Sequence, residues 1–159
     1  MIFLFFMNIY LENFVKEKFL SSGKALDLGA GDFKDVECLK KEGWICEGVD
    51  KKNGIDLEQI YISKIKPFDL VYSNYVLHFL KNKQSLIDSA YENLKNNGWL
   101  FLHTFHKDDE NIKNSLTEEE IKNMLKKFKN ISTKIIDYLD KEPGHNHWHK
   151  ILEVTAQKA

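Results

Sequence analysis

The chain has 159 residues, 43% of them hydrophobic and 30% charged, with a formal net charge of -1. That length suits one domain with a substantial core, and the composition excludes a disordered or fibrous chain. All 23 basic residues are lysine; with no arginine to grip phosphate through two parallel hydrogen bonds, a nucleic-acid partner is not expected.

The opening MIFLFFM is apolar but has neither a basic start nor a small-residue cleavage site, and it is too short to span a bilayer. It reads as neither a leader nor a membrane anchor, and Met7 is an alternative start. Cys38 and Cys46 lie too far apart for a CxxC pair and read as buried, reduced thiols, which suits the cytoplasm.

Residues 8–20 place Ile9, Leu11, Phe14, Val15 and Phe19 at helical spacing. A strand over 25–29, a helix from about 32 to 42 closed by Gly43, and a strand over 45–50 follow. The segment from Lys51 to Pro67 is irregular, with room for an edge strand around Ile55–Ile60. Phe68–Asn74 is a strand, Ser85–Leu94 a helix stopped by Asn97-Gly98, and Trp99–Phe105 a strand. Thr117 and Glu120 form a capping box, with Leu116 stapled onto Ile121, for a helix reaching about Phe128. Lys122, Lys126, Lys127 and Lys129 read as its wet face. Strands near 133–139 and 149–157, joined by a loop through Pro143-Gly144-His145-Asn146-His147, close the chain.

Strands alternating with helices predict an α/β, doubly wound, Rossmann-like sheet, mostly parallel and covered on both faces to give three αβα layers. The last two strands have no helix between them and should form an antiparallel hairpin. With no repeat or linker, a single domain over 1–159 is expected, its helix at about 8–20 preceding a core at about 24–159.

The richest stretch is Ala25-Leu26-Asp27-Leu28-Gly29-Ala30-Gly31-Asp32-Phe33, followed by Gly48-Val49-Asp50. A buried strand enters a glycine turn that opens a helix, so a ligand can approach both the backbone and the helix N-terminus. An acid about 20 residues on, at the next strand's tip, can accept both hydroxyls of a ribose. A nicotinamide enzyme would want a third glycine where Lys34 stands, and usually a separate substrate domain.

The D-x-G-x-G turn, the acid-ended second strand, the run from Pro67-Phe68-Asp69 through Ser73-Asn74-Tyr75 to Phe79, and the closing hairpin together resemble the class I S-adenosylmethionine-dependent methyltransferases. The likeness covers nearly the whole chain from about Asn8 and is greatest for small single-domain members, the tellurite-resistance methyltransferases among them. It implies that Asp27, Gly29, Ala30 and Gly31 cradle the donor's methionine end. Asp50 would hold the ribose hydroxyls with Lys51 at the rim, and Asp56 and Leu57 would border the adenine. Asn74 and Tyr75 would lie beside the methionine moiety and the transferred methyl. Phe33 departs from the family, which often has glycine there; it implies a tighter loop or an inward-packed ring.

His145, His147 and His149 alternate, which puts them on one side of an extended segment. They should share the carboxyl-end rim of the sheet with His103 and His106. Such histidines can contact substrate, hold a metal, or belong to a solvated hairpin whose Trp148 is buried opposite. No acid or cysteine accompanies them at a diagnostic spacing, so no metal site is assigned. His78 reads as packing and Asp69 as structural. Asp56 is as readily an ordinary loop acid as a contact.

The expected activity is methyl transfer from S-adenosylmethionine to a small-molecule acceptor, giving S-adenosylhomocysteine. His103, His147 or His149 would serve as base if the acceptor carries a proton. Ser73-Asn74-Tyr75-Val76 departs from the Asn/Asp-Pro-Pro-aromatic signature of base and glutamine N-methylation, and neither cysteine is placed for cytosine C5 chemistry. The alternatives are a non-catalytic donor-binding protein and, less favoured, a nicotinamide-nucleotide module. No membrane association is expected, and a monomer is favoured.

Overall fold

The computed structural model describes residues 6–159, so most of the apolar opening, residues 1–5, lies outside the described residues. Met7 is buried in the core. Among the described residues no helix is long and apolar enough to cross a membrane.

Helix α1 (Ile9–Lys18) starts at Asn8, whose side-chain oxygen accepts the N–H groups of Tyr10 and Leu11 at 2.9 and 3.2 Å. Two donors that the first turn leaves unpaired are thereby satisfied. The Asn8 N–H in turn donates to Asp35 Oδ1 at 2.9 Å, tying α1 to the first turn of the next helix. The chain continues through β1 (Lys24–Leu28), α2 (Lys34–Lys41), β2 (Ile45–Val49), β3 (Phe68–Asn74), α3 (Lys83–Asn93) and β4 (Leu94–Phe105). It ends with α4 (Glu118–Met124), β5 (Phe128–Asp140) and β6 (His147–Lys158).

These strands form one six-stranded sheet in the order β2-β1-β3-β4-β6-β5. The first four run parallel, whereas β6 is antiparallel to both β4 and β5. The chain winds from β1 outward to β2 and then back across to β3, so the order reverses between β1 and β3. Ligand clefts of open α/β sheets form beyond the strand ends at such a reversal.

The alternation of side chains builds a core on each face. Leu11, Phe14, Val36 and Leu39 from α1 and α2 meet Ala25, Leu70, Tyr72 and Phe101. On the opposite face Leu86, Ile87 and Ala90 of α3 and Ile121 of α4 meet Leu26, Leu28, Val71, Leu100 and Leu152. Each large aliphatic side chain so buried contributes about 1.5–3 kcal/mol. The three αβα layers and the C-terminal hairpin are thus as expected. So is the capping box: Thr117 Oγ1 accepts the Glu120 N–H at 3.1 Å, and Glu120 Oε2 accepts the Thr117 N–H at 2.8 Å.

The edge strand expected around Ile55–Ile60 does not form. Side chains of α3 hold this stretch and the residues just after it: the Ser85 hydroxyl donates to the Leu57 carbonyl. Ser89 Oγ accepts the Tyr61 N–H at 2.9 Å, and Asn93 bridges the Ser63 N–H and the Tyr61 carbonyl, both at 2.8 Å. The sheet therefore ends at β2. The last helix stops at Met124, not near Phe128, and β5 begins there, so the hairpin is longer than its apolar pattern suggests.

Candidate active site

The turn after β1 sits on the tip of β2, because the Gly29 and Ala30 N–H groups both donate to the Val49 carbonyl, at 2.8 and 2.9 Å. Gly29 has φ +89, and a Cβ there would stand 2.3 Å from Val76 Cγ2; at Gly31 (φ +58) a Cβ would meet nothing within 4 Å. The first glycine makes room for the protein and the second leaves room beside the cleft. Phe33 also has positive φ and packs inward over Gly48, where a Cβ would clash with its ring.

Asp50 projects from the end of β2. Its Oδ2 accepts the Gly31 N–H and its Oδ1 the Lys52 N–H, each at 3.1 Å, and its own N–H is held by Asn53 Oδ1 at 2.8 Å. Each carboxylate oxygen has a second lone pair to offer a ligand. A cavity of about 500 Å³ opens here, lined by Gly29, Gly31, Asp50, Lys51, Ile55, Leu57, Asn74, Tyr75, Val76, Phe79 and Leu80. Asn74 Nδ2 donates to Asp35 Oδ2 at 3.2 Å, which leaves its Oδ1 buried and unpartnered.

Three expected donor contacts are placed differently. Asp27 and Ala30 are buried and do not line the cavity. Burial, and then the charge of Asp35, push the Asp27 carboxyl well above the ordinary aspartate range, against a hydrogen bond from Tyr72. Asp56 is exposed and turned to the Glu58 N–H at 3.0 Å, while its neighbours Ile55 and Leu57 face the cavity.

Tyr75 follows β3 in the left-handed region, φ 60, with its N–H donating to the His103 carbonyl at 2.8 Å. Its ring lines the first cavity and two neighbours of about 330 and 530 Å³. Tyr10, Phe105, Tyr138, Asp140 and His149 help wall the smaller; His78, Phe79, Phe105, His145, His147 and His149 help wall the larger. The His78 ring lies against Phe79 and Phe105, with centroids 4.0 and 4.9 Å away, as packing predicts.

The other histidines separate into groups. His103 is buried, with Nε2 2.7 Å from Glu153 Oε2 and Nδ1 3.4 Å from the Tyr75 hydroxyl, so it faces the cavities only through Tyr75. His106 turns toward α4, with Nε2 3.7 Å from Glu118. His145, His147 and His149 do share one side. His149 is buried, with Nδ1 2.7 Å from Asp109 Oδ2 and Nε2 3.0 Å from His147 Nε2. Burial opposes ionisation of Asp109, yet hydrogen bonds from Asn111, His149 and Lys150 outweigh it and hold the carboxyl below its usual range. Trp148, expected to be buried opposite, is 62% exposed.

A family model described as "Methyltransferase domain" matches residues 7–154. The chain belongs to this methyltransferase family. The resemblance read from the turn and the element order is therefore correct, and the family's methyl donor is S-adenosylmethionine. Among solved structures the methyltransferase is similar to TehB from Haemophilus influenzae, with a TM-score of 0.74 at 18% identity, covering 96% of this chain and 63% of that one. It is similar to an S-adenosylmethionine-dependent methyltransferase from Methanosarcina mazei (TM-score 0.72, 14% identity, 91% of this chain and 96% of that one). A third is phosphoethanolamine N-methyltransferase 2 from Haemonchus contortus, with S-adenosylhomocysteine bound (TM-score 0.71, 15% identity, 95% and 52%). The chain thus spans under two thirds of the first and third of these proteins. No curated protein matches its sequence.

The residues present fit the donor. Gly31 leaves open space, Asp50 has free lone pairs at the cleft, and Asn74 Oδ1 is a buried acceptor with nothing to accept. Four residues that the sequence did not single out complete the arrangement: Asp35, Asp109, Asp140 and Glu153. Asp140 was findable, because a hairpin closing through Pro143-Gly144 sets it directly across from His147. Nothing in local spacing points to Asp109, which reaches His149 from a separate loop.

Proposed function

We propose that this methyltransferase moves the methyl of S-adenosylmethionine to a small molecule held beyond Tyr75, in the space walled by aromatic rings and histidines. The observation that carries this reading is that Tyr75 lines the donor cleft and both adjoining cavities. When bound, the donor supplies a sulfonium-activated methyl. Asp50 would accept from the ribose hydroxyls and Asn74 Oδ1 from the donor's ammonium group, with Lys51 at the rim. Ile55, Leu57 and Leu80 would exclude water around the adenine, while Asp27 and Ala30 shape the turn from beneath.

Alignment of acceptor and methyl can supply up to ~7–11 kcal/mol of the barrier reduction. With the His149 Nδ1 proton tied to Asp109, its Nε2 lone pair is left as an acceptor. His149, with His147 beside it, can therefore take a proton from a protic acceptor, an effect on the order of 10²–10⁴-fold. His103 is a positioning residue: it holds Tyr75 and is itself held by Glu153. The free, buried thiol of Cys46 accords with a cytoplasmic setting.

Thermal-shift and calorimetric titrations with S-adenosylmethionine, S-adenosylhomocysteine and NADH test the donor, and a panel of thiol, amine, hydroxyl and oxyanion compounds tests the acceptor. Both adenosyl compounds should bind and at least one acceptor should turn over. The His147→Ala/His149→Ala pair should slow that turnover and leave S-adenosylhomocysteine affinity nearly unchanged. Stabilisation by NADH alone would overturn the donor assignment, and donor binding without transfer to any of the four classes would overturn the catalytic one.

A further inference from the structure

The histidine wall holds more than a proton acceptor requires. Asp140 offers a carboxylate oxygen, and His147 and His149 a ring nitrogen each, all within 4.8 Å of one another. The hairpin makes this grouping. Asp140 pairs with His147 across β5 and β6, and the two-residue repeat of β6 brings His149 to the same side. The two Nε2 atoms stand 3.0 Å apart, and His149 Nε2 is 3.8 Å from Asp140 Oδ2.

Behind them lies the support a metal-binding histidine generally has. Asp109, its side chain wholly buried, accepts the His149 Nδ1–H through Oδ2 at 2.7 Å. That same oxygen accepts the Lys150 N–H at 3.0 Å, and Oδ1 accepts the Asn111 N–H at 2.9 Å. The carboxylate thus fixes the tautomer and rotation of the ring and directs Nε2 outward, as outer-shell carboxylates do in zinc sites. On the exposed side, His145 Nδ1 lies 2.9 Å from Asp140 Oδ2 and steadies the third donor.

We propose that Asp140, His147 and His149 bind one divalent transition-metal ion of the zinc type, with Asp109 orienting His149. Nitrogens 3.0 Å apart, each about 2.05 Å from a zinc ion, subtend about 94° at it, closer to a facial three-ligand arrangement than to a closed tetrahedron. Two ligands of one ion stand at most about 4.2 Å apart, so the set closes by a small side-chain rotation of Asp140 or His147 at the half-exposed end of the hairpin. Two protein nitrogens and one oxygen leave further positions open toward the cavity shared with Tyr75 and Phe105. An anionic thiolate or oxygen of the methyl acceptor would enter there. That last placement rests on the methyl-transfer reading; the metal site itself does not.

The test uses the whole chain, stripped with EDTA and dialysed. Zn(II) is titrated against a chromophoric chelator and Co(II) is followed by its visible absorption, with S-adenosylhomocysteine calorimetry run in parallel. Each ion should saturate at one equivalent. His147→Ala should weaken binding by about 100-fold or more, and Asp109→Asn by about 10- to 100-fold, the usual loss when an outer-shell partner is removed. Should Asp109→Asn fail to fold, His147→Ala, at a half-exposed position, tests the same site. Absence of one-equivalent binding in a chain that still binds S-adenosylhomocysteine overturns the proposal, as does binding undiminished in both His147→Ala and His149→Ala. Metal binding by a chain that binds no S-adenosylhomocysteine would support the site and overturn the methyl-transfer reading instead.

Discussion

Adding one methyl at Gly29, and separately at Gly31, distinguishes two costs that lie side by side in the turn. At Gly29 the new Cβ meets Val76 Cγ2 at 2.3 Å with φ at +89. An alanine in a left-handed conformation costs roughly 1–2 kcal/mol, and overpacking a closed site adds about 1–3 kcal/mol, so Gly29→Ala should cost about 2–5 kcal/mol. At Gly31 only the first cost applies, about 1–2 kcal/mol, because nothing lies within 4 Å. The Gly31 methyl instead takes up donor space, and S-adenosylhomocysteine affinity should fall by about 5- to 150-fold. Urea unfolding of the apo protein reads the stabilities, and calorimetry reads the affinities. Val76→Ala should recover the clash component in Gly29→Ala, seen as coupling in a double-mutant cycle. Equal destabilisation by the two glycine variants, or no coupling to Val76, would refute the reasoning.

Asp50→Ala should weaken S-adenosylhomocysteine binding by about 10- to 150-fold, one charge-assisted hydrogen bond or more, as measured by calorimetry; an unchanged affinity would remove Asp50 from the donor site. Asp27 gives a pH dependence with a defined sign. Its raised pKa means that the native state keeps a proton the unfolded chain has lost, so its contribution to stability falls as pH rises from the ordinary aspartate range through the folded pKa. Asp27→Asn does not titrate, so urea midpoints at about pH 5 and pH 8 should show the parent losing ground against the variant; a constant difference would mean that Asp27 is not buried as described.

Much of the cleft beyond β1 was legible because it is local. The turn from Asp27 to Phe33, the acid at Asp50 and the tip at Asn74-Tyr75 each depend on a strand and the residue after it, and all meet at the reversal between β1 and β3. Ile55–Ile60 misled because its apolar residues suggested a strand, whereas its backbone is satisfied by local turns and by the Ser85 hydroxyl, which donates to the Leu57 carbonyl. The histidine side was less legible. Alternation placed His147 and His149 together, but it could not show that His103 is bound up with Glu153, or that Asp109 stands behind His149. Those contacts join residues 40 or more positions apart.

The place of β6 in the sheet has a consequence for assembly. It follows β5 in the chain but lies between β5 and β4. The donor cleft draws on residues from Gly29 to Leu80, and its four parallel strands can come together before β6 is made. Until β6 arrives, β5 has no partner strand and His147 and His149 have no scaffold. A nascent chain would therefore acquire the half that holds the glycine turn and its cleft first, with β4 presenting an open edge. Insertion of the final strand would cover that edge and raise the histidine wall in one event.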